Sequence, residues 1–184
     1  MATRNRYYNI EGTIRSGFKL SRDYETLDFS FIKMNDDGVR ALVGSQSIKQ
    51  LKRLTINNNK LTHESGLAIA ESKWLENLQS LKLYRNKIGH EGLKALAESD
   101  KLPNLKSLRL AHNQIGPERA KFVAESNNFS CLTSLGLSEN NLGDEGVKFL
   151  AGAQHLKKLE IFCIPTSVIL FNSKYKCLRL SKPS

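Results

Sequence analysis

The chain has 184 residues, 40% hydrophobic and 25% charged, which suits one folded domain with a sizeable core and excludes a disordered or fibrous chain. Its formal net charge of +10 is concentrated at the ends: residues 1–23 carry +3, residues 24–155 only +2, and residues 156–184 carry +5. A nucleic-acid groove would place the charge on the folded face, so the nearly neutral middle makes nucleic acid an unlikely partner.

Residues 1–23 do not share the pattern of the rest of the chain. MATRNRYYNIEG is charged but has no apolar run behind it, so no secretory signal is expected. Tyr8, Ile10 and Ile14 surround a Glu11–Gly12 turn signal. The segment is expected to be an N-terminal cap, as a hairpin or an extra strand covering an otherwise exposed edge.

Residues 24–162 repeat with a step of 27, in about five to six units. Leu27, Leu54, Leu81, Leu108 and Leu135 form one column, and Phe29, Ile56, Leu83, Leu110 and Leu137 another. Asn59, Asn86, Asn113 and Asn140 keep the same phase, giving LKRLTINNNKL, LQSLKLYRNKI, LKSLRLAHNQI and LTSLGLSENNL. The LxL pair alternates at period 2, so both apolar residues point inward from a short strand. Strands are expected at about 27–29, 54–56, 81–83, 108–110 and 135–137. The asparagine follows where the chain leaves the strand, and its amide can both donate to and accept from backbone groups there. A structural ladder of Asn59, Asn86, Asn113 and Asn140 is the expected result.

The second half of each unit has helical spacing, as in HEGLKALAES, PERAKFVAES and DEGVKFLAGA. Leu93, Leu96 and Ala97 are the expected inward face of one helix. Asp37, Glu64, Glu91, Glu118 and Glu145 place a carboxylate in each first turn, where it complements the helix dipole; this accounts for the column without a metal. Trp74, at the end of a helix, is read as packing between repeats.

From Leu132 the next LxxL begins at Leu156, 24 residues on, and LKKLEIFCI has lost the asparagine. Residues 163–184 read as a degenerate last repeat or a basic tail, with YKCLRL as one further LxxLxL-like strand. The most apolar run, residues 161–171, is too short to span a membrane and contains Pro165. Cys131, Cys163 and Cys177 show no metal spacing and suggest free thiols in a reducing compartment, with pairing of two of them left open. Cytoplasmic placement is expected, with a secreted effector as the alternative.

The LxxLxLxxNxL unit followed by a helix resembles the ribonuclease-inhibitor-like class of leucine-rich repeats, which includes those of Ran GTPase-activating proteins and NOD-like receptors. The AES recurring before the next LxxL is closest in style to bacterial members. The resemblance implies an α/β fold: a curved right-handed solenoid with a parallel sheet on its concave face and helices on its convex face.

On such a sheet the outward positions form one surface. Its middle is basic and aromatic: Lys82, Tyr84, Arg85, Arg109 and His112. Tyr and Arg commonly anchor interfaces, so a non-catalytic module binding a protein partner with an acidic surface is the expected function. Alternatives are a GTPase-regulating module, on the resemblance, and attachment to nucleic acid or an anionic membrane through the basic termini. Catalysis finds little support: no GxSxG, Walker loop, HExxH or CxxC occurs. His63 and His90 share a column and should be neighbours, but Pro117 and Asp144 follow them. No metal and no cofactor is expected.

Overall fold

A computed structural model describes residues 9–118, 120–129, 131–151, 153, 161–165 and 175–179. Seven strands form one sheet in chain order: β1 (Thr26–Asp28), β2 (Arg53–Thr55), β3 (Ser80–Lys82), β4 (Ser107–Arg109), β5 (Ser134–Gly136), β6 (Ile161–Pro165) and β7 (Tyr175–Arg179). The first six are parallel, each paired to its neighbour at an offset of 27 residues. The repeating strands begin one residue before their expected positions. Each is centred on the first inward residue of the LxL pair, with an outward residue on either side, and Leu27, Leu54, Leu81, Leu108 and Leu135 are fully buried.

After α1 (Ile10–Ser21), the helices α2 (Asp36–Gly44), α3 (His63–Ala70), α4 (Gly89–Glu98), α5 (Ala120–Glu125) and α6 (Gly143–Ala151) alternate with the strands. Parallel neighbours need such crossovers. Leu93, Leu96 and Ala97 of α4 are buried, as the helical spacing requires. α3 and α4 come into backbone contact at Gly66, where an added Cβ would lie 2.5 Å from Cα of Gly92. Trp74 is half-buried against the core. Among the described residues no helix is long and apolar enough to cross a membrane.

Two ladders tie the repeats together. In the first, each asparagine amide donates backwards: Asn86 to the carbonyl of Ile56 at 2.8 Å, Asn113 to that of Leu83 at 2.8 Å, and Asn140 to that of Leu110 at 2.8 Å. Their Oδ1 atoms accept backbone N–H groups of the preceding repeat, from Leu61, Ile88 and Ile115. Asn59, which is half-buried, makes the same pair one repeat earlier, donating to the carbonyl of Phe29 and accepting the Met34 N–H. The second ladder is of serines. Ser72, Ser99 and Ser126, all buried, donate to the carbonyls of Val43, Ala70 and Ala97. The recurrent AES of the sequence is thus a set of inter-repeat hydrogen bonds.

The N-terminal segment differs from its expected form. Residues 10–21 are a helix, not a hairpin or an extra strand. Asn9 caps it, accepting from the Gly12 N–H at 2.9 Å, and Ile14 and Phe18 are its buried stripe. The helix packs against β1 and α2. Glu11 ends the serine ladder: the hydroxyls of Ser45 and Ser47 donate to its two carboxylate oxygens. No earlier repeat offers Ser45 a backbone carbonyl, and the carboxylate takes that role.

The C-terminal end differs in two ways. β6 pairs Ser134 with Ile161 and Leu135 with Phe162, so the 27-residue offset persists and the 24-residue step suggested by Leu156 is not realised. β7 runs antiparallel to β6, with Cys163 opposite Cys177. Tyr175–Arg179 is therefore a returning strand and not another repeat, because a further parallel strand would need a long crossover.

Candidate functional site

The outward positions of β2 to β5 and the turns after them build one surface. Lys82 and Arg109 are directly paired in register on adjacent parallel strands, which puts their backbones roughly 4.8 Å apart. The next outward residue is Tyr84. Its backbone N–H donates to Oδ1 of Asn57 at 2.8 Å, which fixes where the ring leaves the strand. One residue further, the chain turns out of the sheet through the left-handed region in every repeat, at Phe31, Asn58, Arg85, His112 and Glu139. That turn sets Arg85 and His112 on the rim.

The tyrosine ring connects the two rim residues. His112 meets it edge-on, with centroids 5.3 Å apart and planes at 82°. The Arg85 guanidinium carbon lies 5.3 Å from its centroid, a cation–π arrangement. All five sequence-selected residues therefore gather around β3 and β4. They divide in exposure: Lys82 and Arg85 are exposed, whereas Tyr84, Arg109 and His112 are half-buried. Arg109 lies down along the sheet, because Gly136 leaves space for it. A Cβ on Gly136 would stand 2.9 Å from Cδ of Arg109.

Between these side chains the concave face holds a hollow of about 610 Å³. Lys82, Tyr84 and Arg109 wall it, together with Asn57, Ser80 and Ser107, and it extends to Ser138 on the next repeat. Sequence reasoning passed over the serines. Their signal is the residue before the inward leucine, serine three times in succession at 80, 107 and 134. Among the described residues no acidic one lines the hollow. Among the described residues neither Lys82 nor Arg109 forms an ion pair, although several cations elsewhere do, such as Arg40 with Asp37 at 2.8 Å and Lys52 with Glu25 at 2.6 Å.

The other expected clusters are arranged differently. His63 and His90 both approach Glu91, at 3.3 and 3.9 Å, on the exposed side of the helices. Among the described residues no group of three or more His, Cys, Asp or Glu gathers around a common point. A second hollow of about 520 Å³ lies beside α2 and α3, between Arg40, Val43, Glu64, Leu67 and Trp74, and mixes both charges with apolar walls. Cys131 is a half-buried free thiol.

Comparison with known proteins agrees with this architecture. A family model described as "Leucine Rich repeat" matches residues 75–97, 101–121 and 130–151. No curated protein sequence matches the chain. Among solved structures, the tropomodulin C-terminal domain from Caenorhabditis elegans superposes with a TM-score of 0.60 at 14% identity, covering 82% of this chain and 92% of that one. A structure titled "Leiomodin-1 Actin-Binding Site 2 (ABS2)" gives a TM-score of 0.61, also at 14% identity and with the same coverage. Those identities speak to fold. Together with the 27-residue columns, the in-register parallel sheet and the asparagine hydrogen bonds, they identify the chain as an α/β solenoid of leucine-rich repeats.

Proposed function

We propose that the chain is a non-catalytic protein-interaction module that seats its partner on the concave face, through Lys82, Tyr84, Arg85, Arg109 and His112. The observation that carries the reading is the convergence of these side chains around one hollow with no carboxylate on its wall. Two like charges side by side on paired strands cost stability, and among the described residues no carboxylate pairs with either. A partner with an acidic surface would supply one. Tyr84, held between Arg85 and His112, presents a rigid aromatic face, the kind of side chain that dominates binding energy in interfaces.

The leiomodin domain is named for an actin-binding site, which makes actin the first partner to try. The test is amide hydrogen exchange on the full chain with actin, and with any partner recovered by affinity capture. Protection is expected at residues 80–85 and 107–112. Protection confined to the helices would refute the concave-face reading.

A further inference from the structure

Resting on that reading, we infer that the concave hollow is an anion pocket that takes a phosphorylated side chain of the partner protein. Three observations meet there. First, the two neighbouring cations, Lys82 and Arg109, are in register, and neither forms an ion pair among the described residues. Second, the floor of the hollow beside them is hydroxyl-bearing: Ser80 and Ser107 lie two residues earlier on the same two strands, and Ser138 and Tyr84 also line it. Third, β5 carries a glycine at its outward position, and Arg109 occupies the space that any other residue there would fill. The arginine is half-buried, its stem runs over Gly136, and it lines the hollow.

The match in number and charge favours a phosphate monoester over a carboxylate. A phosphorylated serine or threonine carries about −1.5 to −2 charges and three strong acceptor oxygens. Two cations side by side complement that charge. The arginine fork, the lysine ammonium and the serine hydroxyls are enough donors to engage all three oxygens. A carboxylate has one charge and two oxygens, and would leave one cation and part of the hydroxyl floor unused. Seated on the floor, the phosphate would leave Tyr84, Arg85 and His112 free to meet the flanking residues of the partner.

The test uses the full chain and three short probes, the tripeptides Gly-phosphoSer-Gly, Gly-Ser-Gly and Gly-Glu-Gly, followed by amide chemical shifts. The phosphorylated probe is expected to move Ser80, Lys82, Ser107, Arg109 and Gly136, and to bind about tenfold more tightly than the glutamate probe. Arg109→Gln and Lys82→Gln should each weaken it severalfold, whereas Lys94→Ala on α4 should not. Gly136→Val, which displaces Arg109 without removing it, should also weaken it. Unchanged shifts far from the hollow show that each variant is folded. Equal binding of the glutamate probe, or shifts scattered over other lysines, would overturn the phosphate assignment. So would vesicles containing a phosphoinositide that bind through these residues more tightly than the phosphopeptide. Should the phosphopeptide fail while a Tyr84→Ala/Arg109→Ala chain still loses a protein partner, the anion pocket falls and the concave-face reading stands.

Discussion

Asn113 offers the sharpest test of how the repeats hold together. It is fully buried. Its Oδ1 accepts the Ile88 N–H at 3.1 Å, and its amide nitrogen donates to the carbonyls of Leu83, Leu110 and Ala111. Asn113→Ala does not strand all four groups. Leu83 keeps the Asn86 amide, Leu110 keeps the Asn140 amide, and Ala111 keeps the Arg85 N–H. The Ile88 N–H alone is left buried without an acceptor. One such orphan costs about 1–3 kcal/mol, which at a typical slope of about 2 kcal/mol per molar moves the urea midpoint by roughly 1 M. Asn86→Ala should cost at least as much, because it strands the N–H groups of Asn59 and Leu61 together. Asn59→Ala should cost about 1 kcal/mol or less, since the site is half-buried and water can replace the lost bond. Urea unfolding of the three variants decides it. Equal, negligible midpoint shifts would show that the ladder does not stabilise the solenoid.

Three further substitutions probe the serine ladder, a turn and the N-terminal cap. Ser99→Ala removes the buried bond to Ala70 and should destabilise by about 1 kcal/mol in the same assay. Phe31 holds a left-handed φ of 61° while 73% exposed; Phe31→Asn, the residue type at the equivalent position 58, should raise stability by about 1 kcal/mol. The hydrogen bonds from Ser45 and then Ser47 hold Glu11 below its ordinary value of 4.5, with Arg15 assisting. A carboxyl depressed in the folded state adds stability above its unfolded value and loses it as pH falls through the folded one. The stability of wild type relative to Glu11→Gln should therefore decline below about pH 4.5, and a gap independent of pH from 3 to 7 would contradict the serine contacts.

What the sequence reveals best is what repeats. The two apolar columns locate the parallel sheet to within one residue, because each inward leucine must meet the same inward leucine one turn of the solenoid later. Serines 45, 72, 99 and 126 are equally periodic, yet their role is hidden, since a serine near a helix end is common on any surface. The ends have no column to fix them. Glu11–Gly12 looks like a turn, while Ile10, Ile14 and Phe18 at spacing 4 carry the helix that forms. At the other end the LxxL starting at Leu156 competes with the 27-residue offset, and pairing with β5 follows the offset. In the site, Lys82 and Arg109 are visible from their register alone. That Arg109 lies flat is not, because it depends on a glycine in the next repeat. Tyr84 and Arg109 are outward in the alternation of the strands and half-buried by their neighbours, a degree of burial that the spacing alone does not give.

The central claim is that the concave face binds the partner, and calorimetry with an identified partner tests it directly. Wild type is compared with Tyr84→Ala, Arg109→Ala, the double variant, and Lys94→Ala, whose side chain lies beside Glu98 and Phe122 on the helical side. Each concave substitution should weaken binding by about 2 kcal/mol, so that the double variant loses roughly a thousandfold if the two act independently. Lys94→Ala should bind as wild type does. A double variant that binds its partner with undiminished affinity would contradict the account.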